Sequence, residues 1–146
     1  MRATAATPAA ALLLIVRLTP DAAVLRRLRE EAESFGMYAV VEVFNAADLR
    51  LARESGARII QVNARDLQTL AVDRAACLTL AEAHPPQNDE IWVAASGVSE
   101  PEHLVRAASA GYRAALVGTA LMEQPRPGAA LAALLAGGYL QGQSHA

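Results

Sequence analysis

The sequence predicts an α/β fold in which five parallel strands alternate with helices. Short apolar runs alternate along the chain with longer stretches of helical periodicity. These units recur about every 20 to 30 residues, and parallel neighbouring strands need a connection of a dozen or more residues. The pattern alone fits a doubly wound sheet and a piece of a (β/α)8 barrel equally well.

The length of the chain favours one compact domain. It has 146 residues, of which 53% are hydrophobic, enough to bury a single core. A complete (β/α)8 barrel takes about 250 residues. We therefore expect one domain over residues 1–136, followed by a frayed tail over residues 137–146, which contains three glycines.

The first predicted strand covers Ala11 to Val16. The apolar run from Ala9 to Val16 follows Arg2 and imitates a signal peptide, but no small-residue cleavage site comes after it. The run is also too short to span a bilayer, which takes about 20 apolar residues. We interpret it as a buried strand of a cytoplasmic protein.

The other elements follow from helix caps and from breaks in the periodicity. Thr19 or Asp21 caps the first helix, from Ala22 to Ser34, and Gly36 ends it. The predicted strands that follow are Tyr38 to Phe44, Arg58 to Val62, Ile91 to Ala94 and Ala114 to Val117, and the helices are Ala46 to Ser55, Asp73 to Ala83, Glu100 to Ser109 and Pro127 to Leu135.

Composition argues against several functional classes. The formal net charge is -2 with interspersed charges, so no basic stripe is available for nucleic acid. Cys77 lies in an apolar helical pattern, where a structural role is expected. The histidines, His84, His103 and His145, lack acidic partners at metal-ligand spacing, so we expect no metal. Walker-type and Gly-x-Gly-x-x-Gly loops are also absent from the sequence.

Polar residues at the carboxyl ends of the strands are the candidates for chemistry, because ligands of parallel α/β folds bind there. Glu42 interrupts an apolar strand, where a carboxylate is costly unless it is paired or used. Asn63, Arg65 and Asp66 follow the next strand. An ion pair between Arg65 and Asp66 within the loop is the structural alternative for those two residues.

Two glycine-containing turns end the last two strands. Ser96 and Gly97 close the fourth strand, and Gly118 and Thr119 close the fifth, with a short helix predicted to open at Thr119. Glycines let backbone N–H groups approach an anion closely. Two such turns on adjacent strands predict a phosphate site like the one that barrel enzymes build after their last two strands.

Taken together, the motifs resemble the indole-3-glycerol phosphate synthase family over about Ala11 to Leu135. The most specific of them is Asn63-Ala-Arg-Asp-Leu67. The others are Val40-Val-Glu-Val43 with Asp48-Leu49, Ala95-Ser-Gly-Val98 with Pro101-Glu102, and Val117-Gly-Thr-Ala-Leu-Met122.

The resemblance implies that the strands are the fourth to eighth of a (β/α)8 barrel. It implies a cofactor-free lyase reaction of tryptophan biosynthesis, in which a carboxyphenylamino-deoxyribulose phosphate closes its ring and loses carbon dioxide and water. By the same resemblance Glu42 is a catalytic carboxylate, Asn63 a substrate-positioning amide and Arg65 a neighbouring cation. The residues matching phosphate and substrate contacts are Ser96, Gly97, Gly118 and Thr119.

The chain departs from the family in two ways that bear on catalysis. Ala95 stands where the family has a glutamate, and a methyl group cannot accept a proton. The family also uses lysines, one of them as a general acid, and this chain contains no lysine. Arginine, with a pKa above 12, does not deliver protons near neutral pH. We therefore expect the isolated chain to be inactive.

A partial barrel must also cover the apolar face and the strand edges that a closed barrel would bury. We expect a complementing N-terminal half-barrel, a homo-oligomer, or rearrangement into a flavodoxin-like sheet. Three functions stay open on the sequence alone: an enzyme half that works with a partner, a non-catalytic phosphate-ligand-binding or scaffolding module, and a gene fragment without a role.

Overall fold

The computed structural model describes residues 7–66 and 69–142, with side chains described as far as residue 136. Its centre is one five-stranded sheet in which all paired strands are parallel. The strands pair in chain order, β1 to β5. They are β1 (Ala11–Ile15), β2 (Tyr38–Val43), β3 (Ile59–Asn63), β4 (Ile91–Ala95) and β5 (Ala114–Leu116).

A helix follows each strand, as the sequence predicts. The helices are α1 (Ala22–Ser34), α2 (Ala46–Glu54), α3 (Arg74–Ala83), α4 (Pro101–Ser109), α5 (Thr119–Met122) and α6 (Pro127–Gly142). Right-handed crossovers between strands paired in chain order place the connecting helices on one face of the sheet. This is the winding of a barrel segment, and the fold prediction is confirmed; the flavodoxin-like order 2-1-3-4-5 is not adopted.

Short polar side chains begin three of the helices. Asp21 accepts hydrogen bonds from the backbone N–H groups of residues 23 and 24, so Asp21 and not Thr19 is the cap. Asn45 caps α2 by accepting from Asp48 N at 2.9 Å, and Asp73 caps α3 through the N–H groups of residues 75 and 76. Such caps satisfy the first N–H groups of a helix, which have no partner within it.

The last helix is longer than the sequence analysis predicted. It continues from Pro127 to Gly142, past the predicted end at Leu135, and the frayed tail expected from residue 137 stays a prediction. Glycine inside a helix costs only about 1 kcal/mol relative to alanine, which the alanine- and leucine-rich segment before it can offset. Residues 143–146 lie outside the described residues, and fraying there stays a prediction.

The hydrophobic core lies between the sheet and its helices. One register line across four strands consists of Leu14, Val41, Ile60 and Trp92, and the last three are fully buried. Successive strand residues point to opposite faces, so this line faces α1 to α4. Burial of each such side chain contributes about 1.5 to 3 kcal/mol.

The opposite face of the sheet, which we call the open face, is apolar but poorly covered. Its corresponding register line is Leu13, Val40, Ile59 and Ile91. Leu13 is 46% exposed and Ile91 is 47% exposed. Among the described residues, β1 pairs only with β2 and β5 only with β4, which leaves both sheet edges open. The open face therefore exposes apolar side chains, as predicted for a partial barrel.

A buried ion pair secures the amino end of β4. Arg53 on α2 donates to both carboxylate oxygens of Glu90, at 2.7 and 2.9 Å, and Trp92 Nε1 donates to the same carboxylate at 2.8 Å. Burial opposes ionisation of Glu90, but the hydrogen bonds from Arg53, from Gln87 N and from Trp92 outweigh it and lower the pKa of the carboxyl group. No helix among the described residues is long and apolar enough to cross a membrane.

Candidate functional site

The parallel register brings the predicted polar residues together at the carboxyl end of the sheet. Glu42 on β2 is the register partner of Gln61 on β3, and Asn63 at the end of β3 is the partner of Ala95 on β4. Residues two apart on a strand share a face. Gln61 and Asn63 therefore lie on the open face beside Glu42.

Glu42 is a buried carboxylate held by two side-chain amides. It is 3% exposed, and its Oε2 accepts hydrogen bonds from Gln61 Nε2 and from Asn63 Nδ2, the latter at 3.2 Å. A buried carboxylate needs such partners, because leaving a charged group unpaired in a low-dielectric interior is costly. The two amides hold the carboxylate in one orientation.

Asn63 continues this network toward β4. Its Oδ1 accepts from Ser96 Oγ at 2.8 Å and from the backbone N–H of Arg65 at 3.0 Å. The side chains of Glu42, Asn63 and Ser96 thus form one hydrogen-bonded row across β2, β3 and β4. We call it the Glu42 row. Partly buried polar networks of this kind fix the positions of their members.

The loop after β3 folds back on itself and positions Arg65. Residues 65 and 72 form an antiparallel bridge, and the Arg65 guanidinium donates to the carbonyl oxygen of Leu70 at 3.1 Å. Asp66 pairs with Arg17 at 3.2 Å, so the ion pair observed for Asp66 joins it to a distant residue, and the local Arg65–Asp66 pair stays a prediction. Leu67, the last residue of the most specific motif, lies outside the described residues.

Gly97 lies in a turn that only glycine fits. Ser96 and Gly97 have φ values of +67° and +75°, in the left-handed region that favours glycine. A Cβ atom added to Gly97 would lie 2.7 Å from Val72 Cγ1 and 2.9 Å from Arg74 Cγ. Arg74 also donates from Nε to the Gly97 carbonyl oxygen at 2.5 Å. The loop after β3 and the turn after β4 are thus packed against each other.

A cleft of about 490 Å³ separates the turns after β4 and β5. Both predicted turns line it, through Ser96, Gly97, Gly118 and Thr119, and Arg65 lines it as well. Arg74 adds a second guanidinium to the wall, and Glu123 adds a carboxylate. The charged groups of the wall are therefore two cations and one anion, which favours an anionic ligand.

Sequence reasoning missed two residues of this site. Gln61 is polar within a buried strand and two residues before Asn63, a signal that could have placed it on the same face as Glu42. Arg74 gave no such signal, because in the sequence it lies inside the helix predicted from Asp73 to Ala83. Only the folded loop brings Arg74 to the cleft.

Two of the remaining titratable candidates, Cys77 and His103, have structural roles. Cys77 is buried on α3, and burial raises the pKa of its thiol to about 11. His103 accepts from the backbone N–H of Glu100 at 3.3 Å and so caps α4. Within the described part of the chain, no group of three His, Cys, Asp or Glu side chains could hold a metal ion. His145 lies outside the described residues.

The family profile and the individual protein sequences that this chain matches belong to the same family. Residues 1–134 match the sequence profile of indole-3-glycerol phosphate synthase. The chain is 43% identical over 117 residues to the indole-3-glycerol phosphate synthase of Chloroherpeton thalassium, covering 80% of this chain and 44% of that protein. It is 41% identical over 127 residues to the enzyme of the same name from Mycobacterium sp. strain KMS, covering 87% and 46%. The chain spans about half the length of these relatives.

Solved structures give the same architecture. The Amycolatopsis orientalis BexX/CysO complex matches with a TM-score of 0.55 and 26% identity, over 86% of this chain and 53% of the matched chain. A structure named native KDPGal matches with a TM-score of 0.57 and 23% identity, over 88% and 58%. At such identities the structural matches support the fold alone. The family assignment rests on the sequence matches.

Proposed function

This chain belongs to the indole-3-glycerol phosphate synthase family, and we propose that it forms the phosphate-binding and substrate-orienting part of that family's active site. The observation that carries the proposal is the Glu42 row, which runs from a buried carboxylate to Ser96 at the edge of the cleft. The row holds a carboxylate, an amide and a hydroxyl side by side in that order. The cleft that is proposed to bind an anion begins at the hydroxyl end of the row.

The proposed ligand is the family's substrate, a carboxyphenylamino-deoxyribulose phosphate. Its phosphate would bind in the cleft between the turn at Ser96 and Gly97 and the turn at Gly118 and Thr119, where backbone N–H groups can approach it. Arg65 stands at the same cleft and supplies positive charge. Like the pathway role, a cytoplasmic location is part of this proposal, and no cofactor is required.

Glu42 and Asn63 would act on the body of the substrate. Since Asn63 joins Glu42 to Ser96, the row would set the distance between the bound phosphate and the carboxylate. Holding a reacting group within a few tenths of an ångström of its working position contributes strongly to catalysis. In this proposal Glu42 stabilises positive charge or accepts a proton, and Asn63 orients the substrate.

We further propose that the chain does not turn the substrate over by itself. Ala95 is the register partner of Asn63 and offers only a methyl group where the family has a glutamate. The sequence has no lysine to serve as general acid. Loss of general acid catalysis alone typically lowers the rate about 10² to 10⁴-fold.

The open face supports a requirement for a partner. Leu13 and Ile91 are about half exposed on it, and both sheet edges are available for pairing within the described residues. Contiguous apolar surface of this kind marks an interaction site. The partner would be either a second copy of the chain or a polypeptide that supplies the remaining strands and a lysine.

The test mixes the purified chain with a separately made polypeptide that corresponds to the part of the Chloroherpeton thalassium relative outside the match. Formation of indole-glycerol phosphate is followed by fluorescence, and light scattering gives the mass of each species. We expect no product from the chain alone and product from a mixed complex. Product from the chain alone at the mixed rate would refute the need for a partner.

A non-catalytic binding module is the second candidate, and Ala95 specifically favours it. In that case the mixed complex forms but makes no product, while the chain still binds phosphate esters. Ala95→Glu separates the two candidates, because it restores the carboxylate at the position where the family has one. Activity that appears in the mixture only with Ala95→Glu identifies a binding module descended from an enzyme.

A further inference from the structure

We propose that Arg74 binds the phosphate group of the ligand directly and is a specificity-determining residue of this chain. The inference rests on the proposed function, because it assigns a further residue to the same cleft. No motif of the family resemblance includes Arg74. Its role is inferred only from the way in which the loop after β3 folds.

The side chain of Arg74, although exposed, is held against the turn at Gly97 by two contacts. Its Cγ packs so closely against the Gly97 backbone that a Cβ at Gly97 would approach it to 2.9 Å. Its Nε donates to the Gly97 carbonyl oxygen at 2.5 Å. The guanidinium is therefore anchored on a turn that lines the cleft, which reduces the rotamer entropy that is lost when a ligand binds.

The terminal nitrogens of Arg74 remain available. Within residues 7–66 and 69–142 neither Nη atom donates to a protein acceptor, although the side chain lines the cleft. Arg65 differs, because its Nη1 already donates to the Leu70 carbonyl oxygen. A planar guanidinium with free Nη groups matches the oxygens of a phosphate better than a point charge does.

The charges around Arg74 favour a dianion. Among the described residues, Arg65 and Arg74 are the cations that line the cleft, and Glu123, which also lines it, is exposed. Asp73 precedes Arg74, but its carboxylate accepts from the N–H groups of residues 75 and 76. A phosphate monoester loses its second proton near pH 6. Two guanidiniums should therefore bind it more tightly at pH 8 than at pH 5.5.

The experiment measures binding of glycerol 3-phosphate, a simple phosphate monoester, to the whole chain by calorimetry at pH 5.5 and pH 8. We expect Arg74→Gln to weaken binding at pH 8 by at least about tenfold, since hydrogen bonds to charged groups are worth about that much or more. The gain in affinity between the two pH values should shrink in the same variant. Arg74→Lys should recover part of the loss.

Arg58→Gln is the matched control, because it removes the same charge from an exposed residue at the amino end of β3. It should bind like the wild type. Equal binding and an equal pH profile in the wild type and Arg74→Gln would overturn the role of Arg74 while leaving the phosphate site intact. A wild-type chain that binds no glycerol 3-phosphate would overturn the proposed phosphate site itself. A purely structural role would lower the melting temperature of Arg74→Gln without changing the pH profile of binding.

Discussion

The amide nitrogen of Asn63 lies 3.2 Å from a carboxylate oxygen of Glu42, across two adjacent parallel strands. This contact links the carboxylate of β2 to the turn after β4, because the other end of the same amide accepts from Ser96. A substitution at Asn63 therefore tests both the network and the burial of Glu42.

Asn63→Asp should destabilise the protein in a pH-dependent way. It places a second carboxylate about one hydrogen-bond length from Glu42, and two carboxylates sharing a site raise the pKa of one of them. A raised folded-state pKa means that the variant is penalised at neutral pH and recovers as the pH falls. We expect a loss of about 1 to 3 kcal/mol at pH 7, narrowing toward pH 4, by urea denaturation.

Asn63→Ala is the control for that prediction, because it removes the hydrogen bonds without adding a charge. Its loss should also be larger at pH 7 than at pH 4, because the ionised Glu42 carboxylate loses a donor, but the change with pH should be smaller than for Asn63→Asp. A pH-independent difference for both variants would show that Glu42 and Asn63 are not in contact.

Gly97→Ala should be the most costly of three glycine substitutions. Its backbone is left-handed, and the added Cβ would overlap Val72 and Arg74. Gly36 has a similar φ of +76° but nothing within 4 Å, and Gly118 has neither feature. We expect losses of about 3, 1 and 0 kcal/mol for Gly97, Gly36 and Gly118, measured by thermal denaturation. Equal losses for Gly97 and Gly36 would mean that the turn is not packed as described.

Glu90→Gln should remove an ion pair that stabilises the wild type at neutral pH. In the wild type this pair is lost only when Glu90 is protonated at acidic pH. Glu90 is buried and its partner Arg53 is partly buried, and removing one partner of such a pair costs up to about 3 kcal/mol. Because the pKa of Glu90 is lowered in the folded state, its contribution is complete above its unfolded value of about 4.3 and disappears as the pH falls below that. The difference between wild type and variant, measured by urea denaturation, should be constant from pH 5 to 8 and shrink below pH 4.

Glu54→Gln is the matched control for the ion pair. Glu54 makes an exposed pair with Arg50 at 3.1 Å, and exposed pairs of this kind contribute about 0.5 kcal/mol or less. A loss of the same small size for Glu90→Gln would contradict the structural role given to Glu90.

Cys77 should resist thiol reagents until the protein unfolds. Burial raises the pKa of its thiol to about 11, whereas an unfolded cysteine ionises near pH 8.5, and only the thiolate reacts. Alkylation by iodoacetamide at pH 8.5 should be at least about a hundredfold slower in the native protein than in 8 M urea. Equal rates would place Cys77 on the surface of α3.

The sequence predicted the order of elements well because local signals mark their ends. Asp21, one of the two expected caps, caps α1, Asp73 stands at the expected start of α3, and Gly36 ends α1 in the left-handed conformation. These signals depend on neighbouring residues alone. No such signal marks the end of α6 in the sequence, and the predicted helix was therefore too short there.

The candidate site could be predicted only in part, because its contacts join distant segments. Glu42 and Asn63 stood out as polar groups in apolar strands. The pairing of Glu42 with Gln61 depends on the register of β2 and β3. Arg17 reaches Asp66 from 49 positions away, and Arg74 reaches Gly97 from 23. No periodicity or cap in the sequence encodes such contacts.

We propose that this chain binds a phosphorylated substrate without converting it. The most direct test titrates the purified chain with the carboxyphenylamino-deoxyribulose phosphate, and follows binding by calorimetry and product formation by fluorescence in the same sample. We expect saturable binding, with turnover at least about 10²-fold below that of an intact family enzyme. Turnover within tenfold of that enzyme would contradict it, and would mean that a group other than lysine supplies the proton.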